Sequence, residues 1–224
     1  KPNNIECLDD LKRLPFTSPE DLSAGYPFPL LSVPIQDVVR IHTSSGTTGK
    51  RKVLCYTQKD IEDWTHFFAR SFEVAGFTAD DRVQIAVGYG PWTAGTGFQA
   101  ACESFGAMVI PVGPGNIETQ IEFLLDFQST AFCCTASMGL LLAEEVERRG
   151  IRDQINLNKM IYGSERSSDA MRDQIKSLLG LEEMFDIPGM TELYGPGTGI
   201  ECSAHQGIHY WSDYYLLEII NPDT

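Results

Sequence analysis

The chain reads as an α/β protein with layered, largely parallel sheets covered by helices and the start of a β-subdomain near its C-terminus. Three observations predict this. Short apolar runs of strand length alternate with stretches whose apolar residues recur at helical spacing. Runs such as AMVIPVG are apolar enough for strands buried on both faces. Helices that recur between such strands imply a parallel sheet covered on both sides, and beyond about Gly189 the chain turns Gly-rich and strand-rich.

VVRIHT (38–43) and KVLCYT (52–57) are rich in β-formers and flank a polar, Gly-rich loop. Over 58–77, Ile61, Trp64, Phe68 and Phe72 fall three and four residues apart, on one helical face. RVQIAVG (82–88) is a short strand, the segment after YGPWTAGTG is helical to Phe105, and AMVIPVG (107–113) is the next strand. The helix over 116–127 opens on Asn116, with Glu118 in its first turn. STAFCCT (129–135) is a strand, 138–150 a helix stopped by Gly150, and 159–164 a strand. The helix over 167–180 has Ser167 or Ser168 as its cap and Gly180 as its stop. Strands over 184–187 and 214–220 (YYLLEII) complete the reading, and NPDT has the composition of an exposed turn at a domain boundary. No internal repeat is present.

Composition narrows the function classes. With 17 Lys and Arg against 31 Asp and Glu, the net charge is -14. The cations form no long block, which argues against nucleic acid and against an anionic membrane surface as partners. No apolar run reaches the ~20 residues of a spanning helix, and the N-terminus lacks a basic segment followed by an apolar core. The six cysteines are irregularly spaced in mostly apolar stretches, as expected of reduced, buried thiols in a cytoplasmic protein.

TSSGTTGKRK (43–52) is the most informative stretch. Glycines admit close backbone approach, amides and hydroxyls donate hydrogen bonds, and Lys50 and Lys52 supply charge, as a polyphosphate requires. A solvated hairpin loop has a similar composition. A Walker A loop does not fit, because the required Gly and the Ser/Thr after Gly-Lys are here Ser44 and Arg51.

SSGTTGK between two strands resembles the phosphate loop of adenylate-forming enzymes, the acyl-CoA synthetase and luciferase superfamily. RIHTSSGTTGKRKVLCYTQKDIEDW, GYGPWTAGTGFQAACESFGAMVIPVGPGN, TAFCCTAS, YGSE, DIPGMTELYGPGTG and HYWSDYYLLEIINPDT are together similar to phenylacetate-CoA ligases, in the family's order, from about Leu14 to Thr224. The resemblance implies ATP-dependent activation of an aryl or arylacetic acid to an acyl-adenylate, then transfer to CoA, with Mg²⁺ assisting. It also implies that the chain, 1–224, is a truncated N-terminal domain, with the C-terminal domain and its lysine absent.

Carried over residue by residue, Ser45, Gly46, Thr47, Thr48, Gly49 and Lys50 hold the β- and γ-phosphates. Thr191 contacts the α-phosphate and Glu192 holds Mg²⁺, a metal suited to hard oxygen ligands. Gly163, Ser164 and Glu165 form the turn on adenine, with Asp186, Ile187, Pro188, Gly189 and Met190 beside it. Val87, Tyr89 and Trp92 line the acid pocket, although Tyr89 and Trp92 also suit a core. Three positions depart from the family pattern: Arg51 replaces a common Pro, Pro188 replaces an aromatic residue that stacks on adenine, and Val87 replaces a common Tyr.

Separately, Cys202, His205 and His209 have zinc-compatible spacing, with Cys134 as a distant fourth ligand; the alternative is a polar loop with two surface histidines. A second reading of the whole chain is a truncated nucleotide- or metal-binding module without turnover. The sequence leaves the oligomeric state open, a homodimer included.

Overall fold

The computed structural model describes residues 5–44, 46 and 50–221. Its centre is a parallel sheet of β3 (Arg82–Ile85), β4 (Met108–Ile110), β5 (Ala131–Thr135), β6 (Lys159–Gly163) and β7 (Glu183–Ile187), in the order β4-β3-β5-β6-β7. The crossovers are α2 (Thr93–Phe105), α3 (Ile117–Phe127), α4 (Ala136–Arg149) and α5 (Asp169–Leu179). The chain runs outward from β3 to β4, then returns to the other side of β3 at β5. Order and direction reverse there, which makes the β3/β5 edge the topological switch point of a doubly wound sheet.

Alternation along the strands divides the interior into two cores. Ala131, Cys133, Ile161, Phe185 and Ile187 face the side covered by α2 and by α1 (Gln58–Val74), with Trp64, Phe67, Phe68 and Phe72. Phe132, Cys134, Met160, Tyr162 and Met184 face the side covered by α3, α4 and α5. Every one of these side chains is at most 2% exposed. An ion pair closes the lower end of the sheet: Lys159 Nζ lies 2.7 Å from Asp81 Oδ2, with Thr130 Oγ1 donating to Asp81 Oδ1 at 2.7 Å.

The helix boundaries have local causes. Thr57 caps α1, its side chain accepting from the Asp60 amide while Asp60 accepts from Thr57. Asn116, Thr135 and Ser168 cap α3, α4 and α5 in the same sense. α4 and α5 end at Gly150 and Gly180, at φ 63° and 61°, a left-handed conformation that glycine adopts cheaply.

Two sequence expectations are corrected, and one pair of strands takes a place of its own. The helix over 58–77 stops at Val74, because Ala75 and Gly76 turn the chain and Gly76 adopts φ 68°. The strands expected over 38–43 and 52–57 are present as β1 (Val38–Thr43) and β2 (Val53–Thr57), which pair with each other as an antiparallel hairpin outside the parallel sheet. The strand expected over 214–220 is irregular, with Leu216, Leu217 and Ile219 exposed; a strand needs a neighbour for its backbone groups, and the described residues supply none there. The C-terminal β-rich region consists of a short antiparallel pair, β8 (Gly199–Glu201) and β9 (Ile208–Tyr210).

Candidate active site

The C-terminal ends of β3, β5, β6 and β7 open into one cleft at the switch point, where ligands of such sheets bind. Its lining draws on widely separated parts of the chain: Val87 after β3, Trp92 and Thr93 before and at the start of α2, Cys134 on β5, Gly163 and Ser164 at the end of β6, and Ile187, Gly189, Thr191 and Glu192 at and after β7. Ser44, at the exit of β1, lies on its rim. The cavity is about 460 Å³.

The sequence predicted most of these residues, and the fold brings them together. Thr191 and Glu192 lie on a single 3₁₀ turn, Thr191–Leu193, in the loop between β7 and β8. That loop passes close to itself: a Cβ on Gly189 would come within 2.5 Å of the Pro196 Cα, so only glycine permits the crossing that places Thr191 and Glu192 in the cleft. The Glu192 carboxylate, with the Thr191 hydroxyl, is a hard-oxygen donor set that suits Mg²⁺. Trp92 precedes α2 without a side-chain cap on the helix, and in its first turn the Gly95 amide donates to the Gly88 carbonyl at 3.0 Å, which ties the helix start to the segment after β3.

Beside this polar cleft lies a second, apolar pocket of about 580 Å³. Val87, Trp92, Ala94 and Ser164 belong to both, while Ala86, Pro114, Met138 and Leu141 line the apolar one alone. The Arg51 guanidinium lies over the Trp92 ring, 4.8 Å from its centroid, a cation–π contact at the junction of the two spaces.

Ser45, Thr47, Thr48 and Gly49, the loop residues expected to hold phosphate, lie outside the described residues. The base of that loop is defined. The Ser44 amide donates to the Lys52 carbonyl at 3.0 Å, and the Lys52 amide donates to Ser44 Oγ at 2.9 Å. Gly46 has φ 74°, and the exposed Lys50 ammonium lies 5.3 Å from the Tyr26 ring centroid. The Thr43 amide and the buried His42 Nδ1 both reach the Pro91 carbonyl, at 2.9 and 3.3 Å, which ties the loop's entry to the segment carrying Trp92. Burial pushes the His42 imidazole below its ordinary value, leaving it neutral.

Other expected site residues are placed differently. Tyr89 lines neither space; its ring packs on the α1/α2 core and meets the position a Gly95 Cβ would occupy. Asp186 is half-buried, and burial raises its carboxyl, with Glu201 adding to the effect. Its amide donates to Glu201 Oε2 at 3.1 Å. Pro188 accepts a hydrogen bond from Thr198 Oγ1 at its carbonyl, 3.4 Å, and the exposed Met190 lines, together with Glu192, a separate cavity beside β2. Ser44 and Thr93 are cleft residues that the sequence reading did not single out; both adjoin segments it did, but only the fold brings those segments together.

The zinc constellation is not assembled. His205 Nε2 lies 3.0 Å from Glu183 Oε2, while its Nδ1 lies 3.1 Å from Glu201 Oε2 and 3.0 Å from an Arg172 nitrogen. The guanidinium occupies the direction a cation would need. His209 Nε2 lies 3.2 Å from Cys202 Sγ, and Cys134 is buried in the other core. No group of three metal-ligating side chains converges among the described residues.

No protein-family model matches the chain. It is 41% identical to the phenylacetate-coenzyme A ligase of Pseudomonas putida over 225 aligned residues, covering 100% of this chain and 51% of that protein. It is also 41% identical to the phenylacetate-coenzyme A ligase of Escherichia coli K12, over 99% of this chain and 51% of that protein. The chain thus spans about half the length of these relatives. Its fold is that of a 2-hydroxyisobutyryl-CoA ligase solved in the postadenylation state with 2-HIB-AMP, with a TM-score of 0.83 at 21% identity over 93% of this chain and 46% of the other. A similar comparison holds with an anthranilate CoA ligase in complex with anthranoyl-AMP, at TM-score 0.60 and 21% identity over 75% of this chain and 32% of the other.

Proposed function

Because the chain belongs to the phenylacetate-CoA ligase family, we propose that it binds ATP in the polar cleft and an aryl or arylacetic acid in the apolar pocket, for joining as an acyl-adenylate that CoA then consumes. In the first step a carboxylate oxygen attacks the α-phosphorus and pyrophosphate leaves with the electron pair of the broken P–O bond. In the second, the CoA thiolate attacks the acyl carbon and AMP leaves. One observation carries the reading: Val87, Trp92 and Ser164 belong to both spaces, so an acid in one meets a nucleotide in the other across a shared wall.

The roles follow from chemistry. Negative charge builds on phosphorus oxygens in the first step, and donors fixed in advance lower that barrier. Thr191, which lines the polar cleft, is such a donor. Glu192 would hold Mg²⁺, which offsets phosphate charge when bound. Lys50 adds an exposed cation beside the loop. The apolar walls at Ala86, Pro114, Met138 and Leu141 suit an uncharged aryl body and exclude water from the reacting carboxylate.

A reading as a nucleotide-binding module without turnover is supported by Pro188, which has no π-face to offer adenine. Titration calorimetry on the 224-residue chain with Mg-ATP and phenylacetate, followed by ATP–pyrophosphate exchange, separates the two. Binding of both ligands with acid-dependent exchange is expected. Binding of ATP without any effect of acid supports the module, and binding of neither ligand overturns both.

A further inference from the structure

The glutamate expected at the adenine turn is committed elsewhere. Glu165 Oε2 accepts from the Ser137 amide at 2.9 Å, and Oε1 accepts from the Ser137 hydroxyl at 3.0 Å. Ser137 is the second residue of α4, whose N-cap is Thr135. Its amide is one of the donors that a helix start leaves without an internal partner, and a carboxylate there also meets the positive end of the helix dipole. Glu165 therefore closes a bridge of 28 residues between the β6–α5 loop and the first turn of α4.

The residue just before it is Ser164, which has φ 68°, a left-handed backbone that a serine adopts at a cost. Ser164 lines both the polar cleft and the apolar pocket. On the other side of the clamp, Thr135, Ser137 and Met138 line the apolar pocket. A charge-assisted pair of hydrogen bonds thus pins both sides of one wall.

We propose that Glu165 is a positioning residue of the acid pocket: by gripping the first turn of α4, its carboxylate holds Ser164 in the left-handed conformation that forms the wall between acid and nucleotide. The inference rests on the reading of the two spaces given above, and it assigns Glu165 to the acid side, acting through Ser164 and α4 rather than through contact with the nucleotide.

Two readouts test it. The first needs no ligand: amide hydrogen exchange in the 224-residue chain. Glu165→Ala should speed exchange at the Ser137 amide at least about ten-fold and leave the amides of β5 and β6 unchanged. Unchanged exchange at Ser137 overturns the clamp whatever the chain binds. The second is calorimetry with phenylacetate and Mg-ATP separately. Glu165→Ala should weaken phenylacetate about ten-fold and ATP less than about three-fold. Glu165→Gln, which keeps one acceptor oxygen, should recover most of the acid affinity. Equal weakening of both ligands would assign Glu165 a merely structural role, and selective weakening of ATP would restore it to the adenine site; either result overturns the proposal. If the native chain binds neither ligand, the functional reading fails, while the exchange result still decides the clamp.

Discussion

At the scale of single residues, the side chains proposed to hold ligand differ from those that hold the cleft together. Lys50 is exposed, and its ammonium meets only the Tyr26 ring among its described contacts. Replacing it removes charge without leaving a buried partner. Lys50→Ala should weaken ATP about ten-fold, the worth of one charge-assisted hydrogen bond, with an unchanged melting temperature; unaltered ATP affinity would remove the lysine from the site. The histidines and cysteines near β8 make the opposite point. Their sequence spacing suits zinc, yet His205 is held by Glu183, Glu201 and Arg172. Protein exchanged into chelator should therefore keep its melting temperature within about a degree, since a structural zinc would contribute directly to folding; a drop of several degrees would show that a metal reorganises this loop.

At the scale of elements, two ion pairs hold the ends of the parallel sheet. Asp81 is 5% exposed, and its carboxylate accepts from Lys159, the Thr78 amide and the Thr130 hydroxyl. Lys159→Met leaves that carboxylate buried without its cation, and breaking such a pair costs about 3–5 kcal/mol. Urea unfolding should register a loss in this range, and a loss under about 1 kcal/mol would mean that water replaces the lysine. At the other end, Arg172 pairs with Glu201 at 2.7 Å, which in turn accepts from the Asp186 amide. Burial raises both the Asp81 and Glu201 carboxyls, but their hydrogen bonds outweigh it and both lie below their ordinary values. His42 is lowered chiefly by burial. The signs combine. The unfolded chain takes up the His42 proton first, so stability should fall as pH drops below about 6.5; it should fall again below about 4.5 as Glu201 and Asp81 protonate. His42→Gln should flatten the upper segment of a plot of unfolding free energy against pH and leave the lower one. An unchanged upper segment would show that another group titrates there.

At the scale of the whole molecule, the chain spans about half of its curated relatives. Within that half lie the TSSGTTGKRK segment, the Glu192 turn and the apolar pocket. Loss of one preorganised donor at a charged transition state typically costs about 10²–10³ in rate, and a cleft open to solvent weakens every electrostatic contact within it. The 224-residue chain should therefore form aryl-CoA at least about a hundred-fold more slowly than the same chain fused to the other half of a phenylacetate-coenzyme A ligase, as measured by thioester formation. Equal rates would place every necessary group within residues 1–224.

The sequence by itself determined the alternation of strands and helices, the cap at Asn116, a serine cap at 167 or 168, and the stops at Gly150 and Gly180, because each follows from local propensity and hydrogen bonding within a few residues. It also marked Thr191, Glu192, Ser164 and Trp92 through motif resemblance. The tertiary structure decided what those residues meet. Sheet order placed the ends of β3, β5, β6 and β7 at one edge, and only that convergence turned separate motifs into two adjoining spaces. It also turned Tyr89 into the core, tied His205 to Arg172, and gave Glu165 to Ser137, 28 residues away. Partners so distant along the chain leave no periodicity or spacing to read, since a side chain's hydrogen bonds are settled by which surfaces the packed layers bring within about 3 Å.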